Sequence, residues 1–204
     1  MATKDSPDHD YRSSRTGGRV RSQDARQAVL DATAELLEEG GYGALTIEGV
    51  ARHANVAKST VYRWWKSKGA LVMDAYTHTV ATRVPEPDTG TVAGDLTSFI
   101  TNLYRISAYP LWSKALRGLM AEAQLDPAFA EPFRQWVHSR RTVVTTMLTS
   151  GIERGELPAD LDLEHATDLI FGPFWYRLLV GHAPLDPTQA SDHAMQLLNG
   201  LRGI

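Results

Sequence analysis

Apolar residues recur at helical spacing along most of the chain. Between about Gln23 and Glu39, Val29, Ala32 and Leu36 run beside Leu30, Ala34 and Leu37, marking one face of an amphipathic helix that Gly40-Gly41 would stop. Past the turn, Thr46 is a suitable N-cap, and Ile47, Val50, Ala51 and Ala54 fall at i, i+3, i+4 and i+7, which predicts a second helix of about two turns. Asn55 tolerates the left-handed backbone of a tight turn, and Val56 can plug the angle between helices. From Ala57 or Lys58 to Trp65 a third short helix turns Val61 and Trp65 inward and leaves Lys58, Ser59, Thr60, Tyr62 and Arg63 to solvent or a partner. Ser67 then caps a fourth helix from Lys68 to about Thr82, ahead of Pro85-Glu86-Pro87.

Further helices are predicted over Thr91 to Ala108, Pro110 to Gln124, Pro127 to Gly155 with an interruption allowed, Leu163 to Gly181 and Pro187 to Gly203. No segment alternates with period two between turn residues, so the expected fold is all-α. Residues 1–21 mix Asp, Ser, Arg and Gly without apolar periodicity and are expected to form a disordered basic arm. The expected division is a helix-turn-helix domain over 22–76, the end of a linking helix and a linker over 77–90, and a larger helical domain over 91–204, to which the family resemblance described below assigns ligand binding and dimerisation.

Composition narrows the class. The chain of 204 residues can bury a core unaided, and its absence of Cys excludes disulfides, thiol nucleophiles and Cys-based metal centres. The first 24 residues contain no apolar stretch, and the richest apolar run, Leu163 to Val180, is broken by Asp168, Gly172, Pro173 and Arg177; a soluble, cytoplasmic, bacterial protein without a membrane partner is expected. The net charge is −3, but it is unevenly spread: the first 76 residues hold 11 Lys and Arg against 10 Asp and Glu, the remainder 10 against 14. Within the front part, Arg52 to Lys68 carries five basic residues and no acid. A basic block in an acidic protein points to a polyanion-binding end.

Two short helices joined by a tight turn, the second polar and cationic, form a helix-turn-helix that can enter a DNA major groove. Lys58, Ser59 and Thr60 would reach base edges or nearby phosphates, with Lys66 and Lys68 meeting backbone; Tyr62 and Arg63 complete the candidate surface. The pattern alone leaves a solvated charged face as the alternative. Thr46 together with Ala51-Arg52-His53-Ala54-Asn55-Val56-Ala57-Lys58-Ser59-Thr60-Val61-Tyr62-Arg63-Trp64-Trp65-Lys66-Ser67-Lys68 resembles the TetR family of transcriptional regulators, over Ala25 to Tyr76. The resemblance implies phosphate or recognition-helix contacts for Thr60, Tyr62 and Lys68, a phosphate contact at Thr46, and a core role for Trp65. Departures are Asn55 for the turn glycine, Ala57 for the capping Ser, Gly49 for a better helix former and Trp64 for His. Losing the Ser cap costs about 1 kcal/mol, and the base preference does not transfer.

The back half resembles the family's sensing part more loosely, through Gly155-Glu156-Leu157-Pro158 with Asp160 and Asp162, and through Gly172-Pro173-Phe174 with Tyr176-Arg177-Leu178-Leu179. The resemblance implies a homodimer built from the last two helices of each subunit. Leu163, Ala166, Ile170, Phe174 and Leu178, with Leu197 and Leu201, are the candidate interface residues, ordinary intrachain core being the alternative. A cavity between the back helices is expected, with Trp112, Leu116, Met120, Phe133, Trp136, Met147, Phe171 and Trp175 as candidate lining, together with Phe129. Core packing is the alternative for each. His138, Arg105 and Arg177 are candidate polar handles.

Other chemistry finds no pattern. Gly41-Tyr42-Gly43 follows a helix rather than a strand, the seven His lack ligand spacing, and no nucleophile or phosphate-loop motif occurs, so neither metal nor cofactor is expected. The expected protein is a non-enzymatic regulator, by the family's usual mode a repressor, with a palindromic DNA operator, a small apolar or amphipathic effector and a second copy of itself as partners. A DNA-binding protein without effector, and a helical enzyme or interaction module, are the alternatives.

Overall fold

The computed structural model describes residues 13–83 and 86–203, with side chains described over 22–79 and 86–203. Among the described residues the protein is all-helical: α1 (Ser13–Ala44), α2 (Ile47–His53), α3 (Lys58–Trp64), α4 (Lys68–Arg83), α5 (Val92–Ala108), α6 (Pro110–Leu125), α7 (Pro127–Glu153), α8 (Leu163–Val180), a 3-10 turn (Pro187–Gln189) and α9 (Ala190–Leu201). α1 begins at Ser13 and so takes in 13–21, which the polar pattern assigns to the arm; the rest of that arm, 1–12, lies outside the described residues, as do 84–85 of the linker. Helix formation outruns apolar periodicity there because once a helix is nucleated each added residue costs little. Among the described residues no helix is long and apolar enough to cross a membrane.

The expected caps at Thr46 and Ser67 are in place, and Asp162 adds a third. Thr46 Oγ1 accepts the Gly49 amide at 3.1 Å, Ser67 Oγ the Ala70 amide at 3.1 Å, and Asp162 Oδ1 the His165 amide at 3.0 Å. Gly41 breaks the α1 ladder with φ 69° and ψ −178°, a backbone state that L side chains rarely adopt. Asn55 takes φ 52° between α2 and α3, as the turn requires. α7 runs unbroken through Pro132, which lies near its N-terminus where the ring costs one ladder bond and the helix continues.

α1 packs on α2, α4 and α6, and α2 on α3, so that the short helices are held on the first. Val50, Val61 and Trp65 are buried beneath them with Val29, Leu30 and Leu37. Behind, α5 packs along α9 and against α6 and α7, and α7 against α8, around Leu96, Ile100, Leu116, Leu148, Ile170 and Leu198. α4 bridges the two parts, with contacts to α1 in front and to α6 and α7 behind.

Candidate nucleic-acid interface and sensor cavity

α3 is presented by a lock that periodicity does not reveal. The Trp65 indole N–H donates to Asp74 Oδ2 at 2.8 Å, Arg26 pairs with the same carboxylate, and the Arg26 guanidinium lies 5.6 Å from the Trp65 ring centroid. The end of α3 is thereby tied to α1 and α4 at once. At its start, Ala57 is the N-cap residue and offers no side-chain acceptor, as the substitution of the capping Ser implies.

Thr46, Lys58, Ser59, Tyr62, Arg63 and Lys66 are exposed and Thr60 is half-buried, so seven of the eight sequence-derived candidates lie at the surface of the α2–α3 unit. Several are engaged within the protein. Lys58 pairs with Glu48 of α2, which holds the Glu48 carboxyl below its usual range and raises Lys58, and Lys58 Nζ lies 5.5 Å from the Tyr62 ring centroid. Lys66 Nζ donates to the Tyr62 carbonyl at 3.3 Å, and Arg63 lies over Trp64 at 5.3 Å.

Lys68, at the start of α4, is engaged within the protein as well. Half-buried, it donates to the Tyr42 carbonyl at 3.3 Å and stands 4.2 Å from the Tyr42 ring centroid. The Tyr42 hydroxyl in turn donates to the Glu122 carboxylate of α6, and its ring fills a notch at Gly118, where an added Cβ would come within 2.3 Å. Burial and the Glu122 carboxylate both push the Tyr42 phenol up. The first turn of α4, the end of α1 past Gly41, and α6 therefore meet at one seam.

A cavity of about 420 Å³ opens between α4, α5, α7 and α8. Of the expected lining, Leu116, Trp136, Phe171 and Trp175 border it, whereas Trp112, Met120, Phe133 and Met147 do not. Trp112 and Phe133 are spent on packing: Trp112 meets the Tyr76 ring edge-on at 5.4 Å, and Phe133 packs between Phe129 and Trp136. Met147 is buried in the core and Met120 half-buried beside it. His138, Arg105 and Arg177 do not border the cavity either; Arg105 and Arg177 are bonded to Asn102 and to the Pro184 carbonyl.

Tyr76, Phe99, Asn102, Leu103, Ile106, Arg140 and Arg141 border the cavity and were not among the sequence candidates. Two of them carried a signal: the doublet Arg140-Arg141 interrupts an otherwise mixed helix near its middle. Arg141 pairs with Glu164 at 2.7 Å and with Asp168, clamping α7 to α8. Tyr76 is buried, which pushes its phenol up against the opposing pull of Arg140.

The expected dimer residues divide between the chain's own core and its margin. Ala166, Ile170, Phe174, Leu178 and Leu201 are buried within the chain's own core, Phe174 also bordering the cavity, and Leu163 and Leu197 are half-buried against that core. The free apolar face is the other one, Leu169, Tyr176, Leu179 and Val180 of α8 with Met195 of α9; Tyr176 and Val180 remain 60% and 59% exposed. α8 is apolar on both sides, so composition alone does not say which side faces the core.

A helix-turn-helix with a basic second helix, joined by a bridging helix to a cavity-bearing helical body, is the arrangement of a DNA-binding regulator. Residues 29–75 match the family model described as bacterial regulatory proteins, tetR family, and residues 86–197 match the tetracyclin repressor-like C-terminal domain. The chain belongs to the TetR family and is a helix-turn-helix transcriptional regulator. It is similar to the uncharacterized HTH-type transcriptional regulator YdeS of Bacillus subtilis, at 36% identity over 91% of this chain and 93% of that one. It also resembles the HTH-type transcriptional regulator AqdR of Rhodococcus erythropolis, at 31% identity over 88% and 86%. The crystal structure of the TetR family transcription regulator SCO0332 superposes with a TM-score of 0.76 at 34% identity, covering 87% of this chain and 98% of that one.

Proposed function

We propose that the protein is a homodimeric repressor that binds a pseudo-palindromic operator and is released by a small apolar or amphipathic effector. The observation that carries this reading is Tyr76. It borders the cavity on the same helix, α4, whose first turn holds Tyr42 through Lys68, so a molecule that displaces Tyr76 moves a helix anchored in the head. Two heads would enter successive major grooves, with half-sites about 10–10.5 bp apart or a multiple of that. Thr46, Ser59, Thr60 and Tyr62 would meet phosphates and base edges, with Lys58, Arg63, Lys66 and Lys68 adding charge once their internal contacts exchange for DNA. In this reading the head spans 22–76, the transmitting segment 77–90 and the sensing and dimerising body 91–204, and the dimer forms through the exposed face of α8 and α9. Effector and operator would oppose each other by a coupling of about 1–3 kcal/mol, equal in both directions.

Selection of bound sequences from random duplex DNA tests the reading. A palindromic consensus bound by a dimer, with steep salt dependence, is expected; no enrichment by folded dimeric protein would overturn it. A consensus that no small molecule releases would leave a DNA-binding protein without effector.

A further inference from the structure

One buried nitrogen on a residue of the cavity wall has no hydrogen-bond partner in the protein. Among the described residues, the buried side-chain polar atoms without a hydrogen-bond partner are Ser107 Oγ and Arg140 Nε, and of the two residues only Arg140 borders the cavity. Its neighbour Arg141 is committed to Glu164 and Asp168, whereas Arg140 has no ion-pair partner among the described residues. The acids of the lining do not supply one: Asp168 is paired with Arg141, and no ion pair joins Arg140 to Glu86, which is exposed. Arg140 is half-buried, and its Nε is enclosed with no acceptor from the protein, a cost that a bound anion would remove.

We infer that the effector is an anionic amphiphile, an apolar body bearing one carboxylate that pairs with Arg140. This rests on the effector-released reading above and names the chemistry of its ligand. Phe99, Leu103, Trp136 and Trp175 supply the apolar wall, and about 420 Å³ is room for one molecule of drug-like size. A single guanidinium matches the single charge and planar oxygens of a carboxylate. A phosphate monoester, at nearly two charges, would need a second free cation, and Arg141 is already neutralised by two acids. Tyr76 adds a donor, since burial keeps its hydroxyl protonated on the same wall.

Titration of the full chain with decanoate, 1-decanol and decylamine, followed by tryptophan fluorescence from Trp136 and Trp175, tests this. Decanoate is expected to bind about tenfold or more tighter than decanol, and decylamine more weakly than either. Arg140→Gln should abolish the preference and leave decanol binding in place. Arg140→Lys, which keeps the charge, should retain a preference for decanoate and serves if the Gln variant does not fold. Equal affinity for decanoate and decanol, or a preference that survives Arg140→Gln, would overturn the carboxylate assignment while leaving an apolar effector site. Binding of none of the three would overturn the effector-site reading, and this inference with it.

Discussion

The Tyr76 ring of α4 stands edge-on to the Trp136 indole of α7, with centroids 5.6 Å apart, and Trp136 Nε1 donates to Thr77 Oγ1 at 2.9 Å one residue further along α4. Two consecutive residues of the bridging helix are thus fastened to one residue of the cavity wall. Tyr76→Ala removes a buried aromatic from this joint and should cost about 3–5 kcal/mol of stability in urea unfolding. A loss below about 1 kcal/mol would mean that α4 is not held there.

Glu48 should restrain DNA binding. Glu48→Gln frees Lys58 and is expected to tighten binding to any duplex by up to about fivefold, the reach of an exposed ion pair. Lys58→Ala should lower the salt slope by about 0.9, one phosphate contact. Unchanged affinity and slope in both variants would remove Lys58 from the interface.

Gly118→Ala places a Cβ against the Tyr42 ring. It should destabilise by about 1–3 kcal/mol, and Tyr42→Ala should absorb most of that loss in a double-mutant cycle. Additive effects would show that the notch and the ring do not meet.

Leu169→Arg with Met195→Arg should convert the dimer to monomer in sedimentation and weaken operator binding, while leaving the fold intact because both residues are exposed in the single chain. A variant that stays dimeric would place the interface elsewhere.

His193 makes a 2.6 Å hydrogen bond to the Tyr104 hydroxyl, and burial, aided by the Arg177 charge, holds its imidazole below the usual value. Unfolded chain takes up the proton at about pH 6.5 while the folded state resists it, so His193 contributes stability above that pH that is lost as pH falls. Urea midpoints measured on either side of it should show this slope, and His193→Gln should flatten it.

The head was legible because its constraints are local. Thr46 caps, Asn55 turns left-handed, and Val61 and Trp65 point inward for reasons written within a few residues of each. The fate of Lys68 was not, because its partner Tyr42 is 26 positions away in sequence and accepts through a carbonyl, which no side-chain pattern marks. The back half hid more. On α8 both faces are apolar, so Ile170 and Leu169 look alike in sequence although one is buried and the other exposed. Trp112 and Trp136 are equally good wall residues by composition; which of them borders the cavity depends on how α4 places Tyr76 between them. Arg140 belongs to no apolar or aromatic pattern, since a charge at a helical wall is marked only by its missing partner.

The Glu48–Lys58 pair also bears on how the regulator would find its site. A head whose recognition-helix lysine is already matched by a carboxylate attracts duplex less than its count of cations suggests, so contact with arbitrary sequence would be brief and easily broken. Where a fitting sequence holds the helix long enough for Lys58 to change partners, the pair opens. The carboxylate would then shorten time lost on irrelevant DNA, and the search would gain speed from a residue that weakens every encounter.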